Sequence, residues 1–272
     1  MKDQKILVNN VSVTKNGGLK LNKKVGIQLF TLREEAMQNF DDTLEKIADL
    51  GYEGIEFAGY FGDYEAKNLK KKMESLNLEN AGSHIPYHTL KNDIDSVISY
   101  QLEAGSSSIV CPIIPEENRT SKKGYEEVVK VLNNAGEECR RQGIHFSYHN
   151  HAFELVEVDG ILPLEYILEQ TNPEWVQAEL DVYWLKKAGE DPVKWLERYK
   201  DRMKRIHIKD MTKDEEQFFA ELGTGGLEVD RIIEQGEKTN AEWFIVEQDK
   251  TKKTPFESAA ISMEYLKNIA VK

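Results

Sequence analysis

The stretch Val25-Gly26-Ile27-Gln28-Leu29-Phe30, together with the segment that follows it, decides the fold. Its apolar, β-branched and aromatic residues predict a buried strand. Downstream, Phe40, Leu44 and Ile47 recur three and four residues apart, and Gly51 follows them. This spacing predicts an amphipathic helix that ends at a glycine. A buried strand followed by an amphipathic helix is the repeating unit of a parallel sheet.

The same unit recurs to the end of the chain. Further strands are predicted over residues 54–57, 82–84, 108–112, 145–148, 176–180, 205–208 and 243–246. Further helices are predicted over residues 66–76, 94–102, 126–140 and 255–269. The eight strand ends recur roughly every 31 residues, which matches the about 250 residues that eight strand–helix units occupy in a barrel.

An open, doubly wound sheet is the competing arrangement of such units. Its usual mark is a glycine-rich nucleotide loop directly after the first strand, and this chain contains no such loop. We therefore predict an α/β fold with a single (β/α)8 TIM barrel over residues 24–272. Residues 1–23 show neither helical nor strand periodicity and are expected to form a short N-terminal arm. Such an arm could cover its own barrel or reach a second subunit of a homo-oligomer.

The composition disfavours several classes of protein. Among the 272 residues, 48 are acidic and 36 are basic, and the net charge of −12 disfavours nucleic acid as a partner. No run approaches 18 apolar residues, and the first 24 residues lack the apolar stretch of a signal peptide. We therefore expect no membrane partner and a cytoplasmic location. Cys111 and Cys139 show no disulfide or zinc spacing and are expected to be buried thiols.

Ionisable side chains gather where the predicted strands end. Parallel strands are covered on both faces and are normally apolar. Active sites of barrel enzymes lie at the carboxyl ends of the strands, where residues far apart in sequence converge. The residues at these positions are Glu56, His84, His149, His151, Asp181, His207, Lys209 and Glu247. Their distribution predicts a functional site.

Four of these residues are candidates for metal ligands, although plain structural explanations also exist. His207 could be a hydrogen-bonded core residue, and Asp181 could be the residue that caps the next helix. A carboxylate after a strand as apolar as that before Glu247 needs a partner to offset its burial. With His149 they form a mixed set of imidazoles and carboxylates that suits one divalent ion of Mn, Zn, Co or Mg.

These residues resemble those of the xylose isomerase-like TIM barrel superfamily, the sugar phosphate isomerase/epimerase group, over about residues 24–269. Members typically bind one divalent metal ion through a Glu, an Asp, a His and a Glu at the ends of the fifth to eighth strands. Asp181 in Leu-Asp-Val-Tyr-Trp, His207 in His-Ile-Lys-Asp and Glu247 in Ile-Val-Glu match the last three. The opening Val-Gly-Ile-Gln-Leu-Phe-Thr-Leu-Arg and the turn Leu222-Gly223-Thr224-Gly225 are also similar to the family.

The sequence departs from the family at the fifth strand. Many relatives have Glu-Asn-His where this chain has His149-Asn150-His151. In the epimerases of the family, that Glu and the eighth-strand Glu act on opposite faces of the substrate carbon. Here either His149 takes over as ligand and acid/base group, or Glu154 turns into the site. His-Asn-His also occurs in subgroups that resemble inosose dehydratases and enzymes of 3-keto sugars, where proton abstraction leads to elimination or rehydration.

The apurinic-site endonuclease branch of the family is disfavoured by one position. Its three-metal site needs a His shortly after the sixth-strand Asp, where this chain has Trp184. The acidic net charge argues in the same direction.

The resemblance implies a metal-dependent sugar or cyclitol isomerase or epimerase that abstracts a proton next to a carbonyl group. The alternatives are an inosose or 3-keto-sugar dehydratase that uses the same site, and a barrel that binds sugar without turnover. Glu247 and His149 are the expected catalytic groups, and the expected metal ligands are His149, Asp181, His207 and Glu247. The residues expected to bind the substrate are Gln28, Glu56, His84, His151, Trp184 and Lys209. Trp184 or Phe30 would present an apolar face to the sugar ring.

Overall fold

Eight parallel strands close into a barrel in the computed structural model, which describes residues 21–269. The strands are β1 (Lys24–Gln28), β2 (Gly54–Phe57), β3 (Glu79–His84), β4 (Ser108–Cys111), β5 (His145–His149), β6 (Gln177–Asp181), β7 (Met203–Ile208) and β8 (Trp243–Val246). Each strand pairs with its neighbours in the chain, and β8 closes the barrel by pairing with β1. The single (β/α)8 barrel is thus confirmed. Residues 1–20 of the predicted arm lie outside the described residues.

Helices connect the strands and cover the outside of the barrel. They are α1 (Arg33–Gln38), α2 (Phe40–Leu50), α3 (Ala66–Ser75), α4 (Tyr87–Asn92), α5 (Ile94–Glu103), α6 (Lys122–Arg141), α7 (Pro163–Gln170), α8 (Val182–Lys187), α9 (Pro192–Arg198), α10 (Val229–Glu237) and α11 (Pro255–Ile269). Short 3-10 segments occupy Leu29–Leu32, Glu116–Asn118, Phe153–Leu155 and Lys200–Arg202. A small antiparallel ribbon, Asp210–Met211 with Phe219–Ala220, follows β7.

The interior of the barrel changes from apolar to polar along the strands. Near the amino ends, Trp243 and Ile245 pack with Ala81. Gly54 leaves space for the Trp243 ring, because a β-carbon at Gly54 would lie 2.6 Å from Cη2 of that ring. Towards the carboxyl ends the interior is filled by charged and imidazole side chains. With the carboxyl ends of the strands taken as the top of the barrel, the polar residues lie above an apolar layer. This layer closes the barrel at the amino ends of the strands.

Alternation along β7 determines which of its side chains reach the interior. Ile206 points outward and packs against Gly236 of α10. Its Cδ1 is so close that a β-carbon at Gly236 would lie 3.1 Å from it. Arg205 and His207 point to the other side, where both contact Glu179 inside the barrel. The period of two along a strand thus brings residues 205 and 207 to the same interior column.

The structure adds a 3-10 turn after the first strand and differs from the sequence prediction at several helices. β1 ends at Gln28 because its side chain accepts a hydrogen bond from the backbone N–H of Phe30 and begins a 3-10 turn. α6 begins before residue 126, because Ser121 caps it by accepting a hydrogen bond from the backbone N–H of Gly124. The sequence did not predict α1, α4 or α7 to α10, which are too short for a clear helical repeat.

Two predictions from composition concern the described part of the chain directly. Cys111 and Cys139 are buried free thiols, as expected. Between residues 21 and 269, none of the helices combines the length and the apolar character that crossing a membrane requires.

Candidate active site

Two adjacent strands carry the polar interior in two levels. Glu179 and Asp181 alternate on β6, and Arg205 and His207 alternate on β7, followed by Lys209. Because side chains two residues apart share a face, Glu179 and Arg205 form a lower level, and Asp181 and His207 an upper one. All five side chains are buried.

The upper level contains the four residues predicted as metal ligands. His149, Asp181, His207 and Glu247 each offer one ligand atom, and these atoms lie within 4.8 Å of one another. His207 Nδ1 lies 2.9 Å from Glu247 Oε2, and His149 Nε2 lies 3.9 Å from Asp181 Oδ2. The structure therefore brings these four residues together from β5, β6, β7 and the end of β8.

The donor set fits a divalent ion. Two imidazoles and two carboxylates form the mixed nitrogen and oxygen set that Zn²⁺ and Mn²⁺ accept. The two oxygens of Asp181 have different surroundings. Oδ1 accepts hydrogen bonds from the backbone N–H groups of Tyr183 and Trp184 and thereby caps α8. Asp181 Oδ2 takes no part in the cap; it is buried and faces His149 Nε2 and the ammonium of Lys209. The capping role and the ligand role are thus compatible in one side chain.

Lys209 lies next to these carboxylates. Its ammonium is 2.9 Å from Asp181 Oδ2, 2.8 Å from Glu247 Oε2 and 2.7 Å from Asp249 Oδ1. Burial alone would lower the pKa of Lys209, but these carboxylates outweigh burial and raise the pKa well above its usual value. Lys209 is therefore a permanent cation, and it neutralises part of the negative charge of the site.

The lower level is a second group of buried charges. Glu179 Oε1 lies 2.9 Å from His84 Nε2 and 3.1 Å from His207 Nε2. Glu56 Oε2 lies 2.6 Å from the same nitrogen of His207. Arg205 Nε contacts both carboxylates, at 2.6 Å from Glu179 Oε2 and 3.0 Å from Glu56 Oε1. One guanidinium and the histidines thus compensate two carboxylates that have no access to solvent.

The protonation states of the upper residues follow from their surroundings. Burial alone would raise the pKa of Glu247, but Lys209 and His207 outweigh burial and hold that pKa well below its usual range. Burial lowers the pKa of His149, and nearby His207 lowers it further. At neutral pH Glu247 is therefore an ionised carboxylate and His149 a neutral imidazole, the form that offers a lone pair to a metal.

A cavity of about 290 Å³ opens above the upper level. This volume lies at the lower end of the range for small-molecule sites, about 300–1,000 Å³. The cavity is lined by Phe30, Ala58, His84, Pro86, Pro112, Ile113, His149, His151, Lys209, Glu247 and Asp249. Apolar residues form its walls, and ionisable residues form its base. A larger cavity of about 950 Å³ lies at the amino ends of the strands, and none of the predicted site residues lines it.

The predicted substrate-binding residues are not all at the cavity. His84, His151 and Lys209 line it, as do the expected catalytic residues His149 and Glu247. Gln28 and Glu56 are fully buried below it, because the Gln28 amide donates a hydrogen bond to Glu56 and Glu56 contacts His207. Trp184 lies beside the cavity and packs against His151. Gln28 and Glu56 are therefore placed to support the site, in contrast to the contact with substrate that the sequence suggested.

Glu154 does not turn into the site. Its two oxygens accept hydrogen bonds from the hydroxyl of Tyr148 and the backbone N–H of His151. The side chain is fully buried and does not line the cavity. Of the two substitutes for the family's fifth-strand carboxylate, only His149 lies among the candidate ligands.

Sequence reasoning missed three charged residues of the site. Glu179 and Arg205 precede Asp181 and His207 by two positions, so strand alternation could have placed both in the interior. Asp249 follows the end of β8 by three residues, where no periodic pattern extends. It contacts Lys209 and lines the cavity.

Comparison with known proteins gives similarity over most of the chain. Residues 44–269 match the family described as xylose isomerase-like TIM barrel. An inosose dehydratase of Mesomycoplasma hyopneumoniae strain J is 26% identical over 272 residues, covering 85% of this chain and 89% of that protein. An inosose dehydratase of Lactiplantibacillus plantarum is 24% identical over 268 residues, covering 84% of this chain and 88% of that protein.

Solved structures extend this similarity. A sugar phosphate isomerase/epimerase from Parabacteroides distasonis has a TM-score of 0.80 at 26% identity, covering 96% of this chain and 97% of that chain. The IolI protein with a bound zinc atom has a TM-score of 0.72 at 15% identity, covering 91% of this chain and 98% of that chain. The second similarity is one of fold.

Proposed function

Because the chain belongs to the xylose isomerase-like TIM barrel family, we propose that it is a metal-dependent enzyme that removes a proton next to the carbonyl group of a sugar or cyclitol. The relatives named inosose dehydratase support elimination of water more than isomerisation or epimerisation. The preferred reaction is therefore the dehydration of an inosose or 3-keto sugar, which the sequence offered as the alternative.

One observation carries this proposal: acidic and imidazole groups face the cavity from different strands. The carboxylates of Glu247 and Asp249 reach it from the end of β8. The imidazoles of His84, His149 and His151 reach it from β3 and β5. An elimination needs one base for the carbon-bound proton and one donor for the leaving hydroxyl group. A carboxylate can act as the base and an imidazole as the proton donor. This combination suits elimination better than the paired carboxylates of an epimerase do.

The proposed roles follow from position and charge. Glu247 accepts the proton from the carbon next to the carbonyl group, since it is ionised and lines the cavity. His84 donates a proton to the departing hydroxyl group. Burial alone would lower the pKa of His84, but Glu56 and Glu179 outweigh burial and raise it to about 9. One proton thus moves to Glu247, one leaves His84, and the products are an unsaturated ketone and water.

The four upper residues are the proposed metal ligands. A divalent ion held by His149, Asp181, His207 and Glu247 would supply Lewis-acid polarisation of the carbonyl group. The second oxygen of the Glu247 carboxylate remains for proton transfer. The IolI protein, which has the same fold, has a bound zinc atom, and this supports the proposal that the present chain binds a metal ion.

The walls of the cavity support a neutral ring as substrate. Phe30 and Ile113 stay partly exposed at its mouth, where they can pack on the C–H face of a ring and exclude water. Lys209 is the sole lysine or arginine among the described residues that line the cavity. Its charge is already engaged by three carboxylates. A phosphate group would therefore meet no lysine or arginine that is free of carboxylate partners.

The test is a substrate panel of inososes, 3-keto sugars and ketoses, with and without a phosphate group. The protein is loaded in turn with Mn²⁺, Zn²⁺, Co²⁺ and Mg²⁺, and products are identified by mass spectrometry. Glu247→Gln is the inactive variant, and Glu242→Gln is the matched control, because Glu242 is half-exposed at the amino end of β8 and pairs with Lys204.

We expect loss of one water molecule from an unphosphorylated inosose or 3-keto sugar, abolished in Glu247→Gln and retained in Glu242→Gln. A product of unchanged mass would instead identify an isomerase or epimerase. Binding without conversion of any substrate, with every metal, would overturn the proposal in favour of a barrel that binds sugar without turnover.

A further inference from the structure

His149 and His207 each present their two ring nitrogens to two different groups of carboxylates. His207 Nδ1 lies 2.9 Å from Glu247 Oε2 above it, and its Nε2 lies 2.6 Å from Glu56 Oε2 below it. His149 Nε2 faces Asp181 Oδ2, and its Nδ1 lies 3.2 Å from Glu179 Oε1. Each imidazole therefore has one nitrogen that faces a carboxylate of the upper level and one nitrogen that faces a carboxylate of the lower level.

A metal-binding histidine needs this arrangement. A neutral imidazole has one nitrogen with a lone pair and one N–H group, and the partner of the N–H group determines which nitrogen binds the metal. A carboxylate partner also orients the ring and raises the basicity of the ligating nitrogen. Glu179 below His149 and Glu56 below His207 are in position for that role.

Arg205 keeps both lower carboxylates available as acceptors. Two carboxylates without access to solvent need a cation nearby to offset the free-energy cost of their burial. Arg205 Nε lies 2.6 Å from Glu179 and 3.0 Å from Glu56. The guanidinium is fixed at its far end, where Nη1 donates to the carbonyl oxygen of Ala81 and Nη2 to the hydroxyl of Ser147.

We propose that Glu56 and Glu179, held by Arg205, are positioning residues that set the tautomers and orientations of His207 and His149 for a metal ion in the upper group. This inference rests on the proposed function, which places the metal among His149, Asp181, His207 and Glu247. It assigns the lower level to the support of the metal site, in place of substrate binding.

A competing position for the same ion exists one level lower. His84, His149, Glu179 and His207 also offer ligand atoms within 4.8 Å of one another. A divalent ion bound there to Glu179 would lie next to the Arg205 guanidinium, which is held at both ends and cannot withdraw. In the upper group the nearby cation is Lys209, which has a flexible side chain. Its ammonium can keep its contact with Asp249 and move away from Asp181 and Glu247 when a metal ion binds them. Charge repulsion therefore favours the upper position.

The test measures the affinity of the purified protein for Zn²⁺ and Mn²⁺ by titration calorimetry between pH 6 and pH 8, together with the absorption spectrum of bound Co²⁺. Four variants are compared with the wild type: Glu179→Gln, Glu56→Gln, His84→Asn and Asp181→Asn. Circular dichroism checks that each variant folds. Glu56→Gln keeps the side-chain shape and serves as the second test if Glu179→Gln fails to fold.

We expect Asp181→Asn to lose affinity more than 100-fold, and His84→Asn to stay within about threefold of the wild type. Glu179→Gln and Glu56→Gln should each bind about 10- to 100-fold more weakly, with a changed pH dependence, because the histidine partner is altered and the ligands are retained. The Co²⁺ spectrum of these two variants should show the coordination number of the wild type.

The contradicting outcomes are separate. Wild-type affinity in both Glu179→Gln and Glu56→Gln, with loss in Asp181→Asn, would overturn the positioning role and leave the proposed function intact. Loss of binding in His84→Asn with retention in Asp181→Asn would place the ion in the lower group. A wild-type protein that binds no divalent ion would overturn the proposed function itself.

Discussion

The ammonium of Lys209 lies 2.8 Å from Oε2 of Glu247 and thus occupies the space beside a proposed metal ligand. The same ammonium is 2.9 Å from Asp181 Oδ2, another of the four. A metal ion and the ammonium would attract the same two carboxylates. Lys209 is therefore expected to pair with Asp181 and Glu247 when no metal ion is bound. When an ion binds, the ammonium is expected to leave these two carboxylates and to pair with Asp249 alone.

This competition predicts opposite effects of Lys209→Met on binding and on turnover. Without the internal cation, the affinity for Zn²⁺ should rise about tenfold, which corresponds to about 1.4 kcal/mol. Turnover should fall at least about 100-fold, because Lys209 lines the cavity beside Asp249 and the substrate loses the hydrogen bonds that the ammonium can donate there.

Titration calorimetry and steady-state kinetics measure the two effects. Lys204→Met is the matched control, since Lys204 pairs with Glu242 outside the site. Weaker binding of Zn²⁺ by Lys209→Met would contradict the idea that the ammonium competes with the metal.

Asp181→Asn should separate the two roles of this side chain. Asparagine caps helices as well as aspartate does, so the cap on the backbone N–H groups of Tyr183 and Trp184 should survive. The metal should no longer bind, because an amide is a far weaker ligand than a carboxylate.

Thermal unfolding with and without metal measures this prediction. Metal at 100 times its dissociation constant should stabilise the wild type by about 2.7 kcal/mol. The variant should unfold near the temperature of the metal-free wild type and gain nothing from added metal. A variant that the metal stabilises as strongly as the wild type would remove Asp181 from the ligand set.

The buried carboxyl group of Glu154 predicts a pH dependence of stability that is independent of the metal. Burial raises its pKa to about 7, although hydrogen bonds from Tyr148 and from the backbone of His151 lower it in part. The folded protein therefore holds this proton more tightly than the unfolded chain, whose Glu pKa is about 4.3. The stabilisation is complete below about pH 4.3 and is lost as the pH rises through about 7, with a total of about 4 kcal/mol at most.

Glu154→Gln removes the titration and should flatten the profile. Urea unfolding at several values between pH 5 and pH 8 gives the difference in free energy of unfolding between wild type and variant. That difference should shift in favour of the variant as the pH rises. A difference that stays constant across this range would show that Glu154 does not titrate there.

The barrel could be predicted from the sequence because each strand ends in a recognisable way. Short runs such as Trp243–Val246 are wholly apolar, and a polar residue lies at or next to the carboxyl end of every strand except β4, which ends at Cys111. The 3-10 turn after Gln28 could not be predicted, because Leu29 and Phe30 continue the apolar run and the hydrogen bond that starts the turn depends on a side-chain orientation.

The sequence analysis predicted the upper level of the site, and it missed Glu179 and Arg205 of the lower level. Asp181, His207 and Glu247 stand at strand ends, where a charged side chain is conspicuous. Arg205 and Glu179 lie within strands, and a charged residue there usually faces solvent at an edge. Alternation with Asp181 and His207 puts both side chains on the interior face, but their pairing across β6 and β7 is not contained in any pattern along a single strand.

The most direct test of the account follows the hydrogen on the carbon next to the carbonyl group of an inosose or 3-keto sugar. Its loss in heavy water is monitored by proton nuclear magnetic resonance with the metal-loaded protein. We expect rapid loss with the wild type and with Glu242→Gln, and at least about 100-fold slower loss with Glu247→Gln or after removal of the metal by a chelator. Retention of this hydrogen by a substrate that demonstrably binds to the metal-loaded wild type would contradict the account.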